Sequence, residues 1–167
     1  MWHRRVLACA LVTGILAGPA SAQTPVLFGF VELDTQLAVR RAAEGAVARL
    51  ARSSCQDVFG DFTDAVGQRL SITLVTRGKS PADAFGVLRF FDDGAAPQCR
   101  ADTTLAFTQT GSPLIRICGL QFRYRFMQNR ATTEIILIHE FLHTLGLGEN
   151  PPTSDAITKQ VAVRCGG

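Results

Sequence analysis

The sequence predicts a single compact α+β domain with a small, mostly antiparallel or mixed β-sheet and one buried helix. Removing an N-terminal segment, residues 1–22, from the 167 leaves 145, an ordinary size for one domain. Short alternating segments typical of strands are interspersed with stretches of helical periodicity. The run from 129 to 147 is apolar on nearly every side, as in a helix enclosed by the core.

The first 22 residues have the three parts of a secretory signal peptide. Two arginines near the start supply positive charge, residues 6–17 form an apolar run too short to span a bilayer, and a small-residue site ends at Ala22. We therefore predict cleavage after Ala22 and a mature domain of residues 23–167. The protein would be secreted or periplasmic, without stable membrane insertion. A retained membrane anchor is the alternative, which the short run disfavours.

The charge of the mature domain argues against a nucleic-acid partner. Two of the 17 basic residues lie in the signal segment, which leaves 15 basic against 14 acidic residues and a net charge of +1. No long Lys/Arg run remains to attract phosphate. We expect the mature protein to be a monomer.

The mature domain contains four cysteines: Cys55, Cys99, Cys118 and Cys165. An even count in an exported protein favours two disulfides, and four cysteines allow three pairings. In one of them, Cys99 with Cys118 would clasp a hairpin and Cys55 with Cys165 would pin the C-terminal segment. The sequence does not select among the three. Zinc ligation is the competing role, and the absence of a C-x-x-C pair disfavours it.

The N-terminal half alternates extended and helical segments. An extended lead over residues 26–33 precedes a helix from Asp34, as its cap, to about residue 53. Residues 70–75 alternate in the manner of a strand. Ser80 then caps a short helix that runs to about residue 91, with proline in its first turn.

The C-terminal half is predicted to contain a hairpin, a third strand and two helices. Residues 104–110 and 114–118 read as two strands joined by a Gly-Ser-Pro turn. Aromatic and arginine side chains alternate over 121–126, which favours a strand with an apolar inner face. The buried helix over 129–147 follows, and a last helix begins near Asp155.

The buried helix carries two imidazoles and a carboxylate, whose burial needs compensation. His139 and His143 are four residues apart, so both project from one face and can bind one Zn²⁺. Glu140 is turned by about 100° from His139, faces the open coordination position, and is the candidate catalytic general base. No other histidine occurs in the mature domain. The alternative is a pair of helix histidines satisfied by backbone or water.

The segment HEFLHTLGLGE, residues 139–149, resembles the active-site signature of the zincin metallopeptidases in its metzincin form, His-Glu-x-x-His-x-x-Gly-x-x-ligand. The resemblance implies a zincin-like domain with the active site on the buried helix. It also implies that Gly146 lets the chain turn sharply and that Glu149 supplies the third zinc ligand. Asp155 is the reserve candidate for that ligand.

The chain departs from the metzincin pattern downstream of the motif. Metzincins carry a methionine turn there, whereas Met127 lies upstream and no methionine follows Glu149. Only 18 residues follow Glu149, so the chain is most similar to the small snapalysin-like type, without a recognisable Met-turn. A gluzincin arrangement fails because no glutamate occurs after Glu149.

The resemblance and the residue chemistry together predict a secreted zinc metalloendopeptidase, a hydrolase acting on peptide or protein substrates. Zinc would activate a water, and Glu140 would take the water's proton and pass it to the leaving amine. Residues 114–118 would form the sheet edge that holds an extended substrate, with Tyr124 or a nearby arginine as the candidate oxyanion donor. The alternatives are a secreted, disulfide-stabilised, zinc-containing binding domain without turnover, and hydrolysis of a non-peptide amide.

Overall fold

The computed structural model describes residues 25–167, so the predicted signal segment and its cleavage site lie outside the described residues. The fold is α+β, as predicted, with helices packed against a four-stranded mixed sheet. The elements in chain order are β1 (Val26–Phe28), α1 (Leu33–Leu50), α2 (Ser53–Gln56), α3 (Val58–Asp61), α4 (Leu70–Thr76), α5 (Pro81–Gly86), β2 (Arg89–Asp92), a 3₁₀ turn (Pro97–Arg100), β3 (Ala106–Thr108), β4 (Leu114–Ile117), α6 (Gly119–Gln128), α7 (Arg130–Thr144) and α8 (Ser154–Cys165).

The sheet has the strand order β1-β2-β4-β3, in which β1, β2 and β4 are parallel and β3 is antiparallel to β4. The predicted hairpin over residues 104–118 is therefore confirmed. The prediction that 114–118 forms a sheet edge is wrong, because β4 lies between β2 and β3. The turn at Gly111, whose φ is 79°, folds β3 against β4 and leaves β3 at the edge.

Residues 70–75 and 121–126 were predicted as strands, and both are helical. In α4 the buried side chains are Leu70 and Leu74, which are four residues apart, whereas Ile72 is exposed. In α6, Phe122 is fully buried and Tyr124 is 65% exposed. The apolar residues in these short segments alternate as in a strand, but pairs four residues apart, such as Leu70 and Leu74, also lie on one helical face, and packing against the core selects the helix.

The predicted helix over 34–53 is confirmed as α1, with one difference at its start. The residue before the helix is Glu32, and Asp34 lies in the first turn instead of capping it. The helix predicted from Ser80 is shorter than expected. Its cap is confirmed, since Ser80 Oγ accepts a hydrogen bond from the backbone N–H of Asp83, but the helix ends at Gly86 and β2 begins at Arg89.

Two disulfides are present, Cys55–Cys165 and Cys99–Cys118. This is the pairing that would clasp the hairpin region and pin the C-terminal segment. The bridged residues are 110 and 19 positions apart, so restriction of the unfolded chain contributes about 5 and about 3 kcal/mol to stability, respectively. All four sulfur atoms are used, so the cysteines are not available as metal ligands.

The buried helix predicted over residues 129–147 is confirmed as α7. Asn129 caps it, since its Oδ1 accepts a hydrogen bond from the backbone N–H of Thr132 at 3.2 Å. The helix packs against α1, α6 and α8 and against the β3–β4 hairpin, which places its C-terminal half beside the sheet edge. Among residues 25–167, no helix is both long enough and apolar enough to cross a membrane.

Candidate metal and active site

Helix α7 brings the three polar residues of the motif into the core. His139, Glu140 and His143 are 2%, 6% and 5% exposed, while the neighbouring side chains on the helix are apolar and buried. One turn separates the two histidines, so their rings lie on the same face with centroids 4.9 Å apart. The predicted placement of both imidazoles on one helical face is confirmed.

The outer nitrogen of each imidazole has a hydrogen-bond partner. His143 Nδ1 lies 2.8 Å from the backbone carbonyl oxygen of Leu147, and His139 Nδ1 lies 2.8 Å from Thr158 Oγ1 on α8. A carbonyl oxygen only accepts, so the neutral His143 ring carries its hydrogen on Nδ1 and presents a lone pair at Nε2.

The two Nε2 atoms face each other at 3.0 Å. Without a cation, His139 has to carry its hydrogen on Nε2 to donate it to His143. With a cation between them, both lone pairs are satisfied, and His139 Nδ1–H donates to Thr158. Pairing of the outer nitrogen with a hydroxyl or carbonyl oxygen is the usual arrangement around metal-binding histidines.

Glu149 completes a group of three potential metal ligands. Its Oε1 lies 3.4 Å from His143 Nε2 and 3.7 Å from His139 Nε2, and the side chain is 41% exposed. One ligand atom from each of the three residues lies within 4.8 Å of the others. These residues could hold a metal ion, and the sequence had singled out the same three.

A sharp turn after α7 returns the chain to the site. Gly146 has φ of 113°, a conformation that glycine adopts without strain, and its N–H donates to the carbonyl of His143 at 3.0 Å. A side chain at this position would also place a Cβ 3.1 Å from Cβ of Asp64. Leu147 N–H then donates to Leu142 O, so the chain reverses within three residues and Glu149 faces the histidines.

Glu140 lies beside this group, at the wall of a cavity of about 300 Å³. The cavity is bordered by α7 on one side and the edge strand β3 on the other, and it opens past the start of α8. Its lining comprises Thr104, Ala106, Phe107, Thr108, Thr110, Glu140, His143, Glu149 and Ser154. A molecule in this cavity would therefore contact the Glu140 carboxylate, the His143 imidazole and the Glu149 carboxylate together.

Burial controls the protonation of the site. Burial raises the pKa of the Glu140 carboxyl well above its ordinary value, repulsion by the Glu149 carboxylate raises it further, and a hydrogen bond from the Thr108 backbone N–H opposes both. Burial, with a smaller contribution from the electrostatic interaction with His143, lowers the pKa of His139 to about 3. His139 is therefore neutral near pH 7, as a metal ligand has to be.

Two other residues considered from the sequence lie away from the site. Asp155 is exposed in the first turn of α8 and does not line the cavity, so it is not part of the ligand group. Tyr124 lies on α6, where it lines a groove between α6 and α1. Tyr124 is therefore not the oxyanion donor, and no arginine among residues 25–167 lines the cavity at Glu140.

Sequence reasoning missed two residues that contact the site. Thr158 reaches His139 from α8, and the backbone N–H of Thr108 reaches Glu140 from β3. Both contacts join elements that are distant along the chain, and neither residue belongs to a motif. Only the predicted start of a last helix near Asp155 pointed to α8 at all, and it did not indicate which neighbour that helix contacts.

No protein-family model, no curated protein and no solved structure matches this chain. An assignment of function therefore depends on the chemistry of the site itself.

Proposed function

We propose that the protein is an exported zinc metalloendopeptidase of the metzincin-like type, with His139, His143 and Glu149 as metal ligands and Glu140 as general base. The observation that carries the proposal is that the ligand atoms of His139, His143 and Glu149 lie within 4.8 Å of one another, next to a cavity that Glu140, His143, Glu149 and the edge strand β3 line. Chance placement of two imidazoles and a carboxylate in an apolar helix is disfavoured by the cost of their burial.

The donor set fits zinc. Ligand atoms about 2.0–2.1 Å from a tetrahedral zinc ion lie about 3.3 Å apart, and the three separations here are 3.0, 3.4 and 3.7 Å. Two neutral imidazoles and one carboxylate are also the ligand types that catalytic zinc sites combine with an open position. The partial exposure of Glu149 leaves that position accessible from the cavity.

The chain's own residues account for the proton transfers. When bound, zinc supplies a Lewis acid that polarises a carbonyl oxygen, makes water acidic enough to attack near neutral pH and, through its charge, favours the ionised form of Glu140. Glu140 takes the proton of the attacking water and passes it to the leaving amine. The Thr108 backbone N–H favours the charged form of the Glu140 carboxyl.

The edge strand β3 offers a surface for an extended peptide. Cys118 N–H donates to Leu105 O at 3.0 Å, so the alternation of an antiparallel ladder directs the backbone groups of Ala106 and Thr108 away from β4. Thr108 N–H reaches Glu140, in agreement with that direction. The N–H and C=O of Ala106 and the C=O of Thr108 therefore remain for a substrate strand, whose scissile bond would lie beside Glu140.

The proposal is tested by zinc content and by chelator-sensitive cleavage of a peptide library, with Glu140→Gln as the test variant. We expect the wild type to bind one zinc and cleave, and Glu140→Gln to bind zinc while losing cleavage by at least about 100-fold, the scale on which general acid–base groups act. Glu44→Gln is the matched control, because Glu44 is an exposed glutamate on α1.

Each outcome discriminates between the candidates. Cleavage by Glu140→Gln at the wild-type rate would remove Glu140 from the general-base role. Zinc bound at stoichiometry with no turnover of any peptide would favour the alternative, a disulfide-stabilised zinc-containing binding domain. Turnover confined to small amides would assign the site to a non-peptide substrate. Failure to bind zinc would contradict the peptidase and the zinc-binding domain alike.

A further inference from the structure

A second concave surface lies between α1 and α6, and it does not include the residues of the metal site. It is a groove of about 560 Å³ whose lining residues are Asp34, Leu37, Ala38, Arg41, Leu120, Arg123, Tyr124, Phe126 and Met127. Leu120, Tyr124 and Met127 are 68%, 65% and 79% exposed. Such a concentration of exposed apolar side chains marks an interaction surface more often than a plain solvated face.

The three exposed side chains of α6 form one stripe. Leu120, Tyr124 and Met127 follow the spacing i, i+4, i+7, which places them on a single helical face, whereas Phe122 faces the core. A different face of α6 therefore packs against the core, and among residues 25–167 no other part of the chain covers the stripe. Its apolar character is explained if a further molecule covers it.

The α1 side of the groove carries two opposite charges. Asp34 and Arg41 are seven residues apart, so both lie on one face of the helix, separated by about 10.5 Å along its axis. Neither side chain forms an ion pair within residues 25–167. Leu37 and Ala38 lie at the midpoint between them, and Ala38 is small and only 5% exposed.

We propose that this groove is the interface of a homodimer, in which the α1 helices of two copies pack antiparallel across a twofold axis at Leu37 and Ala38. A twofold axis at this midpoint brings Asp34 opposite the partner's Arg41 and Arg41 opposite the partner's Asp34. Leu37 of each copy packs over the small Ala38 of the other. The α6 stripes of the two copies then close the apolar part of the interface on either side.

A second copy fits this surface better than a membrane or an unrelated peptide. Arg123 in the groove is paired with Glu32, so the charges left for a bilayer are those of Asp34 and Arg41, which cancel and give anionic lipid no net attraction. An unrelated peptide would have to supply a basic side chain for Asp34 and an acidic side chain for Arg41, at the same separation as these two residues. A second copy supplies both by symmetry, because the surface is complementary to itself.

From the sequence we expected a monomer, and we also predicted that residues 121–126 form a strand. In a strand, alternate side chains point to opposite faces, and Phe122, Tyr124 and Phe126 would all face the core. In the helix α6, Phe122 remains buried but Tyr124 turns outward with Leu120 and Met127. The apolar surface is thus a consequence of the secondary structure of this segment.

The test is a charge exchange read out by sedimentation velocity and by light-scattering molar mass over a concentration series. We expect the molar mass of the purified wild-type protein to rise to that of two chains as its concentration increases. Asp34→Arg and Arg41→Asp should each raise the dissociation constant at least tenfold, roughly the least effect expected when like charges face each other across an interface. An equimolar mixture of the two variants should restore the dimer, because each variant supplies the charges that the other lacks.

Val75→Asp on α4 is the matched control, because Val75 is 79% exposed and lies outside the groove. This variant should dimerise as the wild type does. Circular dichroism establishes that each variant is folded, and recovery in the mixture requires both to be. A single-chain mass for the wild type at every concentration would overturn the proposal, as would a mixture that stays monomeric. Binding of monomeric wild type to phosphatidylglycerol vesicles would assign the groove to a membrane surface instead.

Discussion

At the scale of single residues, the positions of hydrogen atoms decide what the site can bind. The Leu147 carbonyl holds the hydrogen of His143 on Nδ1, so the Nε2 lone pair faces the cavity whether or not an ion is present. The Thr158 hydroxyl can accept a hydrogen bond from His139 Nδ1 or donate one to it, so either ring nitrogen of His139 can carry the hydrogen. One fixed and one adaptable imidazole, with a half-exposed carboxylate, form a site that accepts a cation without rearranging the helix.

The proposed role of Glu149 as third zinc ligand can be tested by comparing its removal with the removal of Asp155, a carboxylate outside the site. Glu149→Ala should weaken zinc affinity by at least about 100-fold, because loss of a ligand costs more than loss of the groups that orient ligands, which alone costs 10–100-fold. Asp155→Ala should leave the affinity unchanged, since Asp155 lies outside the ligand group. Competition with a chromophoric chelator measures both, and equal affinities for Glu149→Ala and wild type would remove Glu149 from the site.

At the scale of elements, α8 contacts the site at His139, whereas the turn after α7 contacts it at His143. Ile157 and Val161 of α8 are fully buried in the core, and Thr158, between them, faces His139. Thr153 caps the helix, since its Oγ1 accepts from the backbone N–H of Ala156. The position of one hydroxyl at the site therefore depends on the packing of an entire helix.

The orienting role of α8 predicts a specific effect on metal affinity. Thr158→Val keeps the size and shape of the side chain but removes the hydroxyl, so zinc affinity should fall about 10–100-fold. Thr158→Ser keeps the hydroxyl and should retain affinity close to that of the wild type. Zinc titration of both variants checks this, together with unfolding of the metal-free proteins. Equal affinities for the valine and serine variants would show that Thr158 only fills space.

At the scale of the whole molecule, α8 is attached to the N-terminal half of the chain by covalent and ionic contacts. The Cys55–Cys165 disulfide joins it to α2. Arg164 Nε and Nη2 donate to the two carboxylate oxygens of Asp61 in α3 at 2.7 and 2.8 Å. Gln160 also donates to Asp61. These links hold α8, and with it Thr158, against the rest of the fold.

The Asp61 contact predicts a dependence of stability on pH. The hydrogen bond from Arg164 lowers the pKa of Asp61 below its ordinary value of 3.8, against the opposing effect of burial. The folded state thus favours the charged carboxylate, so the stabilisation is complete above the unfolded pKa and is lost as pH falls through the folded pKa. The difference in unfolding free energy between wild type and Asp61→Asn should therefore shrink from about pH 7 to about pH 2.

Urea unfolding of the metal-free proteins measures this difference. Asp57→Asn is the control, because Asp57 Oδ2 lies 4.0 Å from Arg164 and its side chain is 66% exposed. The difference in unfolding free energy between Asp57→Asn and the wild type should be small at about pH 7 and at about pH 2. A difference for Asp61→Asn that stays constant as the solution is acidified would show that the ion pair does not contribute to stability.

Local features of the chain were predictable because their causes lie within a few residues. Asn129 caps α7 as its position before an apolar run indicates, and Gly146 adopts the conformation that the motif requires. The placement of His139 and His143 on one helical face also follows from the helical repeat alone. Residues 70–75 and 121–126 were predicted wrongly because short amphipathic segments satisfy two periodicities, and the rest of the core decides between them.

The sequence by itself determined the class of fold, the buried helix, the histidine pair and the neighbouring carboxylate, since each depends on local spacing and on the cost of burying charge. Only the tertiary structure decided which strand lies at the sheet edge, which pairing the cysteines adopt, and that Thr108 and Thr158 contact the site. The physical reason is that these contacts join different secondary-structure elements, and packing of the whole core selects which elements meet. The spacing of residues within one segment therefore does not predict these contacts.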